Sequence, residues 1–178
     1  MKITLFPGGF QLVKNYGGYK GVDIWTGQEF LDELKDSDYF IGHSGGASFA
    51  MRYASNQTSK FIFVNPLIKK RSLPNLFLRW LKFLIFEGIE KKKIIPAKYW
   101  PYALKKFLKL KRINFLDAIK QMPKENLIVI RGKQDNFFCD EKSAKIIKDN
   151  NIRIIEVEAG HDWNENIAEA VNEIIFML

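Results

Sequence analysis

The chain has 178 residues, 47% of them hydrophobic and 27% charged, which excludes a disordered or collagen-like chain and fits a globular protein. That length favours one domain over residues 1–178, able to bury a substantial core. One cysteine, Cys139, excludes an intramolecular disulfide and fits a cytoplasmic setting, while a formal net charge of +8 invites an anionic partner.

The opening run MKITLF is too short for a signal-peptide core or a membrane span. Residues 3–6 read instead as a first buried strand, closed by Pro7-Gly8-Gly9. A further short strand is expected near residues 21–25, and a helix over 29–34. Three more apolar runs, at 39–41, 61–64 and 127–130, read as buried parallel strands; a fifth, at 152–157, is β-branched and mildly alternating. Helical patterns fall at 46–55, at 141–148 with Asp140 as N-cap, and at 164–178, where Ile167, Ala168, Val171, Ile174 and Ile175 recur at helical spacing. Strands alternating with helices predict an α/β fold around a mostly parallel sheet of about five to six strands.

Residues 66–122 break this rhythm, being too long for a simple crossover. From position 69 to 112 fourteen Lys and Arg stand against Glu87 and Glu90, about +12, so the positive charge belongs to one insertion.

The chemistry gathers at Gly42-His43-Ser44-Gly45-Gly46, which matches G-x-S-x-G. In that motif a serine sits on a sharp strand-to-helix turn, its small neighbours let strand and helix approach, and its hydroxyl stands clear of the sheet edge. The motif alone recurs by chance; here a strand precedes it and a helix comes after it. A serine hydroxyl needs a base, and the chain has two histidines. His43 is adjacent to the serine and is expected to point away. His161, in EVEAGHDW, comes after the fifth strand and so opens on the same sheet edge as the serine. The carboxylate that would orient it is Asp135, just after the fourth strand. Its rivals are Asp140, a helix cap, and Asp162, too near His161 in sequence to reach its ring. The loop after the third strand carries Asn65 rather than an acid.

Ser44, Asp135 and His161, in that order and each after its own strand, resemble the α/β-hydrolase superfamily, most of all small single-domain members such as the retinoblastoma-binding serine hydrolases and compact esterases. The resemblance implies a reduced α/β-hydrolase fold in which residues 66–122 form a helical cap or lid. It also implies an oxyanion hole built from the backbone N–H of Gly45 and that of Gly9 or Phe10. The familiar His-Gly start of the oxyanion loop is Pro7-Gly8 here. The short stretch between Phe10 and Asp38 means that strands of the full fold are missing or reduced.

The insertion stays open to several readings. NLFLRWLKFLIF is apolar on nearly every side, which suits a lid over an apolar acyl pocket. A second reading is a membrane-surface or homo-oligomer contact rimmed by Lys and Arg. Nucleic-acid binding is disfavoured because no binding module is recognisable. No cofactor is implied, and two histidines with one cysteine are too few for a zinc cluster. The expected protein is a serine hydrolase of a small carboxylic ester or thioester. The alternative is a non-catalytic interaction protein that binds a membrane surface or a protein partner through its insertion.

Overall fold

The computed structural model describes residues 1–28, 36–53, 58–110 and 114–177. Among them five strands, β1 (Ile3–Phe6), β2 (Tyr39–His43), β3 (Lys60–Val64), β4 (Leu127–Gly132) and β5 (Arg153–Val157), form one parallel sheet in the order in which they occur in the chain. The helices described are α1 (Gly45–Tyr53), α2 (Leu73–Phe86), α3 (Trp100–Leu110), α4 (Phe115–Lys120), α5 (Glu141–Asp149) and α6 (Glu165–Met177).

Strand order explains how the two faces are covered. Crossovers between parallel strands are right-handed, so a chain that always steps the same way across a sheet lays its connections on one face. Phe40, Phe61, Phe63 and Val129 accordingly share a core with Phe49 of α1, Phe115 of α4 and Ile147 of α5. The opposite face is left to the helix beyond the last strand. There Ile41, Ile62, Val64, Ile128 and Ile130 pack with Ile167, Val171 and Ile174 of α6, joined by Tyr16 from the segment after β1. With both faces covered, β2 and β4 are buried along their whole length, which is why they read as unbroken apolar runs.

The strand expected near residues 21–25 is only an isolated bridge between Leu5 and Gly21. Val22 donates to the Leu5 carbonyl, but the chain then turns as Thr26 donates back to Asp23, which ends the pairing. The helix expected over 29–34 lies outside the described residues, as do the last two positions of the one expected over 46–55. The stretch 66–122 carries α2, α3 and α4 between β3 and β4.

Candidate active site

Parallel strands bring all their carboxyl ends to one edge, and the loops after β1, β2, β3, β4 and β5 supply this site. At the end of β2 the chain turns sharply into α1, and Ser44 takes the left-handed backbone conformation, φ +51°. A non-glycine residue held there is strained and must be secured by its surroundings. The flanking glycines provide that through close approach. A Cβ on Gly42 would lie 2.4 Å from the Cα of Ala47, and one on Gly46 would lie 2.3 Å from the carbonyl oxygen of Phe6. The Ser44 N–H donates to the Val64 carbonyl at 2.8 Å, tying the turn to β3.

Ser44 Oγ lies 2.9 Å from His161 Nε2, and His161 Nδ1 lies 2.6 Å from Asp135 Oδ2. Because a carboxylate can only accept, Nδ1 carries the proton and Nε2 is left to accept from the serine. Asp135 is fully buried. Burial would raise its pKa, but His161 and the N–H groups of Phe138 and Cys139 outweigh that and hold the carboxyl well below the usual carboxylate range. For His161 burial favours the neutral ring, yet the charge and hydrogen bond of Asp135 prevail and raise its pKa above the ordinary histidine value. The structure therefore brings Ser44, Asp135 and His161 to hydrogen-bond distance of one another. Asp140 caps α5 through the Ser143 N–H, and Asp162 turns away to Gln11 and Lys93.

His43 points away from the serine into a buried polar network that the sequence did not reveal. Its Nε2 donates to the His161 carbonyl at 2.9 Å, and its Nδ1 lies 2.7 Å from the Tyr16 hydroxyl. That hydroxyl also accepts the Gly8 N–H at 2.7 Å, and its single proton is shared between His43 Nδ1 and the Gln11 side-chain carbonyl. Burial first, and then the nearby charge of His161, lowers the His43 pKa to about 4, so its ring stays neutral. On the other side Asn65 Nδ2 donates to the carbonyls of Gly160 and His161, and its Oδ1 accepts the Gly132 N–H. Asn65 thus fixes the loops bearing His161 and Asp135 against β3. No sequence signal marks Tyr16, Gln11 or Asn65: Asn65 bonds backbone groups distant in the chain, and Tyr16 and Gln11 meet side chains, those of His43 and Asp162, that only folding brings near.

Gly45, as the first residue of α1, has an N–H with no acceptor inside the helix. Gly9 and Gly45 both line the hollow at Ser44. Phe10, φ +61°, packs its buried ring among Trp25, Trp80 and Phe107. Because the Gly8 N–H is held by Tyr16, Gly9 and Phe10 are the remaining donors of that loop. The hollow itself is about 20 Å³, room for one water, and Trp80 and Phe83 of α2 with Phe107 and Leu110 of α3 roof it. The Phe83 ring stands edge-on to His161 with centroids 5.1 Å apart. Among the described residues no three His, Cys, Asp or Glu side chains gather as a metal-ligand set.

This architecture is that of the α/β-hydrolases, in a reduced, five-stranded form. An esterase from Thermogutta terrifontis, solved with malate bound, aligns over 99% of this chain and 90% of its own with a TM-score of 0.62 at 13% identity. A monoacylglycerol lipase from Paleococcus ferrophilus aligns over 98% and 93% with a TM-score of 0.54 at 14% identity. A lipase structure from Acinetobacter baumannii aligns over 99% and 83% with a TM-score of 0.55 at 15% identity. At such identities the likeness is one of fold. It extends across residues 66–122, and it gives no support to the narrower retinoblastoma-binding group. No protein-family model and no curated protein sequence matches the chain.

Proposed function

We propose that this protein hydrolyses carboxylic esters or thioesters through an acyl-enzyme on Ser44, within a single domain capped by residues 66–122. The observation that carries the reading is the hydrogen-bonded row from Ser44 Oγ through His161 to buried Asp135. Ser44 Oγ attacks the acyl carbonyl carbon while His161 Nε2 takes the hydroxyl proton. The N–H of Gly45 and that of Gly9 or Phe10 stabilise the resulting oxyanion. As the tetrahedral intermediate collapses, the alcohol or thiol leaves with the proton from His161. Water then attacks the acyl-enzyme with His161 again as base, releasing the acid and restoring Ser44. Esterase and lipase activities among proteins of the same fold support this class of substrate. Labelling of the purified protein by a fluorophosphonate, absent in Ser44→Ala, is the expected result. Equal labelling of the two proteins would remove the mechanism.

A second reading concerns the surface that the cap touches, and its outer face motivates it. On α2 the residues Phe77, Leu78, Leu81 and Ile85 are exposed opposite the buried Leu76 and Phe83. On α3 Trp100, Leu104 and Leu108 are exposed beside Lys105 and Lys109. Among the described residues no helix is long and apolar enough to cross a membrane. This face suits lying flat on an anionic lipid surface; a second copy would set lysines against lysines. Sedimentation with phosphatidylglycerol vesicles, weakened by salt, is expected. Loss of binding in Ile85→Ser with soluble-ester turnover kept would support lipid docking, whereas dissociation of a dimer by that variant would replace it.

A further inference from the structure

Behind the hollow at Ser44 lies a second one, also about 20 Å³, lined by Ser48, Lys69, Lys70 and Arg71. Leu67, Leu76 and Leu110 line both and so form the wall between them. Charge beside the second hollow is out of balance. Lys69 Nζ, Arg71 Nη2 and Arg79 Nη1 all rest on one carboxylate, that of Asp140, at 2.7, 3.8 and 3.7 Å. Lys70 adds a further cation at the rim. Asp135, the other acid that acts on Arg71, is already committed to His161. The Arg71 side chain is only 7% exposed, and its Nη2 donates to the Phe138 carbonyl. Its Nη1 is buried with no hydrogen-bond partner among the described residues. A buried guanidinium nitrogen without an acceptor is costly, and a planar anion would satisfy it.

The geometry points to an anion subsite for the distal end of the acyl group, and we propose that it takes a carboxylate, so that the preferred substrate is a half-ester or half-thioester of a short dicarboxylic acid. This rests on the reading of Ser44 as nucleophile. The position of Ser48 sets the scale. It stands on the first turn of α1, about 4.5 Å along the axis from Gly45, the residue that comes directly after Ser44. A short acyl chain starting at the Ser44 carbonyl site and passing Leu67, Leu76 and Leu110 would bring a terminal carboxylate to Arg71 and Lys70. Neither hollow holds more than a water as it stands, so the leucine wall must part for the chain. Those three side chains are apolar and touch the substrate's methylenes, while the cations meet its charge.

Two measurements test this, and they fail separately from the hydrolase reading. The first compares p-nitrophenyl hydrogen glutarate with neutral p-nitrophenyl valerate. The wild-type kcat/KM should favour the anionic ester by about tenfold or more, the value of a charge-assisted hydrogen bond. That ratio should fall towards one in Arg71→Gln and should fall, less steeply, in Lys70→Gln. Lys70 is exposed, so its replacement tests charge without disturbing packing. A wild-type ratio of one or below, or a ratio that neither variant changes, would overturn the subsite. The second measurement titrates glutarate, and separately inorganic phosphate, into the Ser44→Ala protein by calorimetry, which needs no turnover. Glutarate should bind, and more weakly in Ser44→Ala carrying Arg71→Gln. No glutarate binding would overturn the proposal even in a protein that hydrolyses neutral esters. Phosphate binding without any preference for the glutarate ester would also overturn it, as a free-anion site apart from the substrate.

Discussion

The carboxyl edge of the sheet and the α2–α3 insertion are built from different forces. At the edge, Ser44, His161, Asp135, Asn65, Tyr16 and His43 each sit in a named hydrogen bond at a set distance. Across the insertion the contacts around the hollow are ring on ring, as in Trp80 against Phe10 and Phe107. Hydrogen bonds are directional and weaken steeply when misaligned, whereas apolar burial is not directional and tolerates sliding. On the proposed hydrolase reading, one region fixes where atoms react, and the other can re-pack around the molecule brought to them. Glu87, at the end of α2, joins the two by accepting the Asp162 N–H at 2.8 Å.

The sharpest break of this contrast is removal of the reacting row. Ser44→Ala and His161→Ala should each lower ester turnover by about three to six orders of magnitude, and the double variant should be little worse than either, because the groups act as a unit. Steady-state kinetics of the purified proteins checks this. Additive losses would mean that the two side chains act independently, contrary to the 2.9 Å contact.

Next in size is Tyr16→Phe, which leaves the row intact and unties its support. The Tyr16 hydroxyl holds the Gly8 N–H and with it the loop presenting Gly9 and Phe10. Loss of that tether should cut kcat by about tenfold to a hundredfold with KM little changed, less than the ~10²–10³ expected for deleting an oxyanion donor itself. An increase in KM alone would place Tyr16 among groups that bind the ground state.

The pH dependence separates the two histidines. His161 must be neutral to act as base, and its raised pKa places the acid limb of kcat/KM above the ordinary 6.5. His43 does the reverse in stability. Below pH 6.5 the unfolded chain binds a proton that the folded protein refuses until about pH 4. Stability attributable to His43 therefore falls across that window, by roughly 3 kcal/mol in all. His161 opposes this: its stabilisation is fully present below pH 6.5 and is lost as pH rises through its raised folded pKa. Urea denaturation between pH 4 and 7 should show a flatter acid slope in His43→Gln than in wild type. An identical slope would mean that His43 is charged in the folded state.

Much of this was legible in the chain for a physical reason. A strand covered on both faces must be apolar throughout, so Phe61 to Val64 and Leu127 to Ile130 announce themselves, and in a parallel sheet the residues after each strand lie on one edge. Ser44, Asp135 and His161 could be found that way. Tyr16, Gln11 and Asn65 could not, since their value lies in partners, among them the His43 ring, the Asp162 carboxylate and the His161 carbonyl, that only folding brings near. The segment at Gly21 reads as a strand and is only an isolated bridge, because local apolarity does not show where a turn cuts the pairing short. Apolar residues on nearly every side of α2 showed that they cannot all face one small core, without showing what the outward ones meet; Phe77, Leu78, Leu81 and Ile85 are exposed.

The smallest expected effect tests the inner and outer faces of α2 on adjacent residues. Trp80 is turned inward over Ser44, while Leu81, the next residue, is exposed. If the inner face grips the acyl chain, each buried methylene adds about 0.8 kcal/mol, close to fourfold in kcat/KM per carbon until the space is full. Trp80→Ser should flatten that climb along a series of p-nitrophenyl esters while fluorophosphonate labelling of Ser44 persists. Leu81→Ser should keep the climb and weaken vesicle sedimentation instead. The inner residue would then act through substrate packing and the outer through the surface on which α2 rests. A chain-length profile altered equally by both variants would mean that α2 moves as a whole when either face is changed, and that the two faces cannot be assigned separate tasks.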